Sequence, residues 1–253
     1  MATPVWPEAE PIHRDGGPVG ALVLHGFTGS PDTVRPLADA FGAAGFTVVA
    51  PRLPGHGTSL DDMATTGWAD WSAEVERAYT ELAARTEQVV VAGLSMGGTL
   101  TCWLAARHPE IAGIVTINAA VRPFTAEERE FVGLMLDAGD EIAPSIGADL
   151  AAPDARERAY EGTPLRCLLS LWDAIDELQE ALPEITCPAL VMNSAVDHVV
   201  SPPEVVAEHL ASHLGGPVER LVLERSYHVA TLDHDKDLLA ERAVAFAEKV
   251  TAR

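Results

Sequence analysis

Residues 89–98, VVVAGLSMGG, constrain the fold of this chain more than any other stretch. A β-branched apolar run leads into a Gly-X-Ser-X-Gly turn, and helix-compatible sequence begins near Thr99. A serine on such a sharp strand-to-helix turn can be exposed only if the residues two before and two after it carry no side chain. Gly93 and Gly97 satisfy that condition. We therefore predict that Ser95 is a nucleophile at the end of a buried strand.

Buried strands alternate with amphipathic helices along most of the chain. An edge strand is predicted near Ile12, and apolar runs typical of buried parallel strands lie at 19–24, 46–50, 89–92, 111–117 and 189–193. A last strand is predicted at 219–223. This alternation predicts an α/β fold with a mostly parallel central sheet flanked by helices. A chain of 253 residues is long enough to form it as a single domain over residues 1–253.

The alternation stops between Asn118 and Cys187, a connection longer than a crossover between parallel strands needs. A capping box at Thr125 and Glu128 and a later amphipathic stripe indicate helices inside it. We predict a small helical cap or lid over residues 119–182, inserted after the sixth strand. Its last helical segment is alternatively an ordinary helix packed on the sheet, and the pattern favours neither interpretation.

Two further polar side chains follow predicted strands. Asp197 comes after the strand at 189–193, and His228 comes after the strand at 219–223. Because the carboxyl ends of parallel strands meet at one edge of a sheet, we expect Ser95, Asp197 and His228 to lie together. A serine hydroxyl needs an imidazole base, and the base needs a buried carboxylate. We predict these residues as nucleophile, orienting carboxylate and general base, in the chain order of α/β-hydrolases.

Other residues compete for these roles. Asp233 and Asp235 are close in sequence to the predicted base, but they begin the last predicted helix, where carboxylates favour the helix dipole. His198 adjoins the predicted carboxylate, yet adjacent side chains in an extended segment point in opposite directions. His25 and His56 also follow strands, and we interpret both as histidines that shape loops.

The tetrahedral intermediate of acyl transfer carries negative charge on the former carbonyl oxygen. Preformed backbone N–H donors stabilise that charge by about 2.7 to 4 kcal/mol each. We predict that the donors are the N–H of Met96, directly after the nucleophile, and the N–H of Phe27, in the loop after the first buried strand. Because the donors belong to the main chain, side-chain identity tests this prediction only weakly.

Composition restricts the partners. The formal net charge of −21 disfavours binding to nucleic acid and to anionic membrane surfaces. Cys102, Cys167 and Cys187 lack metal-ligand spacing and are odd in number, so we expect reduced core thiols and no metal or cofactor. The N-terminus lacks the pattern of a secretory signal, and polar residues interrupt the uncharged stretch at 89–106. We expect a cytoplasmic protein without an integral membrane segment, and its oligomeric state is left open.

Motifs along nearly the whole chain match one family. They are His25-Gly26-Phe27-Thr28-Gly29-Ser30, Gly55-His56-Gly57, Gly93-Leu94-Ser95-Met96-Gly97-Gly98, Asp197, Tyr227-His228-Val229 and Thr231-Leu232-Asp233. By these residues the chain resembles the α/β-hydrolase superfamily and, more closely, small bacterial carboxylesterases and monoacylglycerol lipases. The resemblance implies that Ser95 attacks an ester carbonyl without a cofactor. It further implies that His228 accepts the proton and returns it to the leaving alcohol, and that Asp197 orients the imidazole of His228. The implied substrate is a small carboxylic ester or a monoacylglycerol, held in pockets that the insertion lines.

Other functions share these motifs. A thioesterase, a C–C bond hydrolase or a cofactor-free perhydrolase would keep the same triad, and a ligand receptor could keep the fold without turnover. Ser95 excludes the branches that use an aspartate nucleophile, such as dehalogenases and epoxide hydrolases. Since His228 must be neutral to act as a base, we expect activity to rise with pH as it loses its proton.

Overall fold

The structure is a computed structural model that describes residues 3–145 and 148–252. The ends of the predicted domain at 1–2 and 253, and residues 146–147 of the predicted cap, lie outside the described residues. The strands are Ile12–Arg14 (β1), Val19–Leu24 (β2), Thr47–Ala50 (β3), Gln88–Leu94 (β4), Gly113–Ile117 (β5), Ile142–Pro144 (β6), Gly162–Pro164 (β7), Ala189–Ser194 (β8) and Val218–Leu223 (β9). The α-helices are Arg35–Ala43 (α1), Leu60–Met63 (α2), Trp68–Ala83 (α3), Met96–Arg107 (α4), Ala126–Asp137 (α5), Leu165–Ala181 (α6), Pro203–His213 (α7) and Lys236–Thr251 (α8).

A central sheet of seven strands has the order β1-β3-β2-β4-β5-β8-β9. β1 pairs antiparallel with β3, whereas the other neighbours are parallel. In the middle of the sheet, Val91 of β4 is in register with Leu22 on one side and Ile114 on the other. The predicted α/β class with a mostly parallel sheet is confirmed.

Helices cover both faces of this sheet. Successive residues of β2 alternate between two hydrophobic clusters, with Leu22 and Leu24 in one and Ala21 and Val23 in the other. Side chains of α3, α4, α6 and α7 complete the first cluster, and those of α1 and α8 complete the second. Burial on both faces explains why these strands are continuous apolar runs in the sequence.

The predicted position of the insertion after the sixth strand is wrong. In the chain order of the described residues, the long connection follows the fifth strand, β5. The edge strand near Ile12 and the runs at 19–24, 46–50, 89–92 and 111–117 each form one strand, β1 to β5, so five strands precede the insertion among the described residues.

The insertion is also not purely helical. Besides α5 it contains an antiparallel pair of three-residue strands, in which Ile142 of β6 pairs with Pro164 of β7. Strands this short cannot show the alternation of apolar and polar residues that reveals longer ones. The sequence pattern therefore indicated the helices of the insertion and missed its hairpin.

Helix α6 combines the two interpretations of the last helical segment. Leu171 and Ile175 are buried in the large cluster with α3 and α4, as for a helix of the sheet layer. Trp172 belongs to a smaller cluster with Val132 of α5. One side of α6 is thus part of the scaffold and another supports the insertion, while the boundaries 119–182 of a cap stay a prediction.

Candidate active site

Ser95 lies at the turn between β4 and α4, with φ 55° and ψ −119°. Residues other than glycine rarely adopt this backbone conformation, which costs about 1–3 kcal/mol and persists only where the surroundings enforce it. Here the Ser95 N–H donates to the carbonyl of Ile117 at 2.9 Å, and the Ser95 carbonyl accepts from Gly98 N–H at 2.8 Å. The strained turn is thereby tied to the neighbouring strand β5 and to α4.

Two glycines make the turn sterically possible. A Cβ at Gly93 would lie 2.1 Å from the carbonyl oxygen of Gly97, and a Cβ at Gly97 would lie 2.2 Å from that of Leu24. Both distances are far below a van der Waals contact, and both involve backbone atoms that cannot rotate away. The glycines that flank Ser95 in the motif are therefore required by the close approach of the turn, α4 and β2.

The predicted oxyanion donors lie on both sides of Ser95. The loop after β2 passes so close that a Cβ at Gly26 would be 3.3 Å from Ser95 Cβ. Phe27 and Ser95 line the same cavity. Met96 is the first residue of α4, and the first N–H groups of a helix have no acceptor within it. The arrangement suits an oxyanion between these two backbone segments, and the donor roles of Phe27 and Met96 stay a prediction.

His25 and His56 hold loop backbone in the structure. His25 Nε2 accepts the N–H of Leu53 at 3.2 Å, so its Nδ1–H donates to Gly26 O at 2.9 Å. His56 Nδ1 lies 3.0 Å from Pro54 O. Burial holds the pKa of His25 well below its usual value, with a further contribution from His56, and lowers that of His56 to about 4. Both rings are therefore neutral and hold the loops that follow β2 and β3.

Asp197 and His228 form a buried pair. His228 Nδ1 lies 2.8 Å from Asp197 Oδ2, and the side chains are 9% and 0% exposed. Asp197 Oδ1 accepts the N–H groups of Val199 and Val200 at 2.8 and 2.7 Å. Since Nδ1 faces a carboxylate, it carries the proton, and Nε2 keeps the lone pair that a base needs. His228 lines the same cavity as Ser95.

The rival carboxylates hold other groups. Asp233 accepts the N–H groups of Tyr227, Ala151 and Ala152, and these bonds lower its pKa although burial raises it. Asp235 accepts the N–H and Nε of Arg225. Both aspartates directly precede α8, with Asp235 at its N-cap, and their carboxylates also hold loop backbone. His198, the rival beside Asp197, pairs with Asp149 instead.

Asn118 connects the end of β8 to the loop that carries His228, a role that sequence reasoning missed. It follows β5 directly, with φ 45°. Its Nδ2 donates to His228 O at 2.8 Å, to Tyr227 O at 3.3 Å and to Ser194 Oγ at 3.0 Å, while its Oδ1 accepts Ser194 N–H at 2.7 Å. An asparagine directly after a buried strand, where positive φ is tolerated, was the available signal.

A cavity of about 300 Å³ contains Ser95 and His228. Most of its remaining wall comes from the insertion, where Phe124 and Trp172 stack at 4.0 Å between ring centroids. The other residues that line it are Gly26, Phe27, Thr28, Leu94, Pro144, Ser145, Asp149, Glu157, Ala159, Thr163, Leu168, Val199 and Val229. This volume and a largely apolar wall with few polar groups are typical of small-molecule sites.

Two acidic residues of this wall, Asp149 and Glu157, were also missed. Burial raises the pKa of Glu157, although the charge of His228 and a hydrogen bond from Thr33 act in the opposite direction. Neither position stands out in the sequence, because the insertion is rich in acidic residues and only long-range folding selects these two.

Over residues 3–145 and 148–252, no group of three or more His, Cys, Asp or Glu side chains is placed to hold a metal ion. In the same residues, no helix has the length and apolar character needed to cross a membrane.

Comparisons with known proteins agree with this geometry. A family model described as serine aminopeptidase, S33, matches residues 20–235. The thermostable monoacylglycerol lipase of Bacillus sp. (strain H-257) is 45% identical over 250 residues, which cover 97% of this chain and 97% of the relative. The carboxylesterase of Bacillus subtilis (strain 168) is 29% identical over 243 residues, or 95% and 97% of the two chains.

A solved structure described as LipS and LipT, two metagenome-derived lipolytic enzymes, superimposes with a TM-score of 0.90 at 42% identity. It covers 97% of this chain and 100% of its own. These likenesses span the sheet, the loops at its carboxyl edge and the insertion. They confirm the resemblance to α/β-hydrolases that the sequence motifs indicated.

Proposed function

We propose that this carboxylic ester hydrolase, which belongs to the family described as serine aminopeptidase, S33, cleaves monoacylglycerols and related small esters through an acyl-enzyme on Ser95. The observation that carries the proposal is the cavity that contains both Ser95 and His228, with His228 bonded to a buried carboxylate. A mainly apolar wall around these two residues suits an acyl chain.

The chemistry follows from the positions of the side chains. The hydroxyl oxygen of Ser95 attacks the ester carbonyl carbon, and its proton passes to Nε2 of His228 while Asp197 stabilises the imidazolium. The oxyanion accepts hydrogen bonds from the N–H groups of Phe27 and Met96. The C–O bond to the alcohol then breaks, and His228 returns the proton to the leaving oxygen. Water deprotonated by His228 hydrolyses the acyl-enzyme, which releases the acid and restores Ser95.

The two kinds of wall residue suggest which parts of the substrate lie where. Phe124, Leu168 and Trp172 offer apolar surface for an acyl chain, whereas Glu157 offers carboxyl oxygens to the hydroxyl groups of an alcohol. A monoacylglycerol combines one acyl chain with a diol. The 45% identity to a monoacylglycerol lipase supports the same substrate class.

A substrate panel tests this proposal. We expect hydrolysis of nitrophenyl esters and of monoacylglycerols, with weaker turnover of di- and triacylglycerols and of acyl-CoA. Ser95→Ala should lower kcat by about 10⁴-fold or more and abolish labelling by a fluorophosphonate. Ser212→Ala, which changes an exposed serine on α7, is the matched control and should leave both unchanged.

The alternatives give different results in the same panel. A strong preference for acyl-CoA would make the protein a thioesterase, and a preference for aminoacyl anilides would make it a peptidase. Cleavage of a C–C bonded diketone, or peracid formation with hydrogen peroxide, would indicate the C–C hydrolase or the perhydrolase. Ester binding without turnover or labelling would indicate a receptor.

We further propose that the enzyme acts in the cytoplasm on small-molecule esters and binds no nucleic acid. The net charge of −21 supports the second part of this proposal, because a strongly acidic surface repels polyanions such as nucleic acid. Cell fractionation followed by activity-based labelling would place the protein, and retention on immobilised nucleic acid at physiological salt would contradict the second part.

A further inference from the structure

A carboxylate of the insertion reaches the backbone of His228. Asp149 Oδ2 accepts the N–H of His228 at 3.2 Å and the N–H of His198 at 3.1 Å, and its Oδ1 lies 2.7 Å from His198 Nδ1. The backbone carbonyl of Asp149 also accepts the N–H of Val229 at 3.1 Å. The Asp149 side chain is 13% exposed and its bond to the His228 N–H is partly buried, where charge-assisted bonds are strong, whereas the bonds to His198 are exposed.

These contacts complete a set of three around His228. Asp197 holds its Nδ1, Asn118 donates to its carbonyl oxygen at 2.8 Å, and Asp149 accepts its N–H. The first two residues lie on loops that directly follow strands of the central sheet. The third comes from the insertion, which makes the insertion part of the support of the imidazole.

The segment that carries Asp149 is itself fixed to the His228 loop. The N–H groups of Ala151 and Ala152 donate to the two carboxylate oxygens of Asp233 at 2.8 Å each. Asp233 also accepts the N–H of Tyr227 at 2.9 Å. Each segment therefore contributes an aspartate that binds the backbone of the other, and this reciprocal arrangement holds Asp149 in place.

We propose that Asp149 is a positioning residue for His228, through which the insertion sets the orientation of the base. The inference rests on the proposed function and deepens it. A displacement of a catalytic group by about 1 Å can cost on the order of 100-fold in rate. Loss of one of three supports should therefore reduce turnover without removing any group that reacts.

Asp149 also lines the cavity, so a direct contact with the alcohol of the substrate is the competing role. Substrate size separates the two roles. Nitrophenyl acetate carries a short acyl group and no glycerol. A positioning residue affects kcat for this ester and for a monoacylglycerol by the same factor, whereas a residue that binds glycerol affects mainly KM for the monoacylglycerol.

The experiment compares Asp149→Asn with Asp154→Asn, which removes the same charge from an exposed position of the same segment. For Asp149→Asn we expect kcat for both esters to fall by the same factor, between about 10- and 100-fold, with KM within about two-fold of wild type. The rate of fluorophosphonate labelling should fall in parallel. Asp154→Asn should match wild type in every measurement. His198→Ala keeps the bonds of the Asp149 carboxylate to the N–H groups of His228 and residue 198, so it should lower kcat less than Asp149→Asn does.

A readout independent of turnover is the low-field proton NMR signal of Nδ1–H in the His228–Asp197 pair. We expect it to shift or broaden in Asp149→Asn and to stay unchanged in Asp154→Asn. If Asp149→Asn does not fold, Asp149→Glu keeps the charge while displacing it, and kcat should again fall equally for both esters. Wild-type kcat in a folded Asp149 variant, or a loss confined to KM for the monoacylglycerol, would overturn the inference. Failure of wild type to hydrolyse any ester would instead refute the proposed function.

Discussion

Acid should destabilise this protein through His56, a histidine buried in the loop after β3. His56 is fully buried against Trp71 and Phe27. Burial, and to a smaller extent the charge of Arg52, lowers its pKa from 6.5 to about 4, although a bond to the Pro54 carbonyl acts in the opposite direction. Below pH 6.5 the unfolded chain therefore binds a proton that the folded chain does not. Stability falls as the pH drops from 6.5 towards 4 and this contribution levels off below that.

The two pKa values set the size of the effect. At pH 5 the unfolded state gains about 2 kcal/mol relative to the folded state from His56, and at pH 4.5 about 3 kcal/mol. His25 acts in the same direction, because burial and the charge of His56 hold its pKa well below its usual value. Two neighbouring buried rings that resist protonation make the adjoining loops after β2 and β3 the acid-sensitive part of the fold.

Urea unfolding of wild type and His56→Gln at pH 7.5 and pH 5 measures this directly. Glutamine does not titrate, so the variant should be less stable at pH 7.5 but lose about 2 kcal/mol less than wild type between the two pH values. His13→Gln, which changes an exposed histidine on β1, serves as the control and should lose as much as wild type. An equal loss in His56→Gln and wild type would show that His56 does not remain neutral in the folded state.

Three further predictions concern the site. Asp197→Asn should keep the fold and lower kcat by about 10⁴-fold, because the imidazole loses the partner that sets its tautomer; normal kcat would remove Asp197 from the triad. Gly97→Ala should lower Tm sharply, because its Cβ would lie 2.2 Å from a backbone oxygen. The control Gly133→Ala, whose Cβ would meet nothing within 4 Å, should stabilise α5 by up to about 1 kcal/mol. Equal melting temperatures of the two variants would contradict the steric argument. Trp172→Ala should shift preference towards longer nitrophenyl esters by enlarging the cavity wall, and an unchanged chain-length profile would place the acyl chain elsewhere.

Much of the fold could be predicted because its signals are local. β2, β4 and β8 are continuous apolar runs, and the glycines around Ser95 follow from the geometry of one turn. The positions of Asp197 and His228 after predicted parallel strands indicated that both lie at the same edge of the sheet. In the structure His228 Nδ1 lies 2.8 Å from Asp197 Oδ2. Their catalytic roles stay a prediction.

The residues that were missed depend on contacts far apart in the sequence. Asp149 is one of many acidic residues in the insertion, and only the folded chain brings it to the N–H of His228. The same holds for Asn118, whose side chain joins the end of β8 to the loop that carries His228. The β6–β7 pair was missed for a different reason, because three residues carry too little periodicity.

The packing of α6 against two clusters limits how freely the insertion could be exchanged between relatives. Leu171 and Ile175 fill the large core cluster, so a chimera that replaces the whole of residues 119–182 would also replace part of the scaffold. Exchange of residues 121–163 alone would retain α6, and Trp172 would then select which foreign segments fit. Residues 121–163 of the insertion can thus be exchanged separately, whereas α6 must be kept together with the core that it completes.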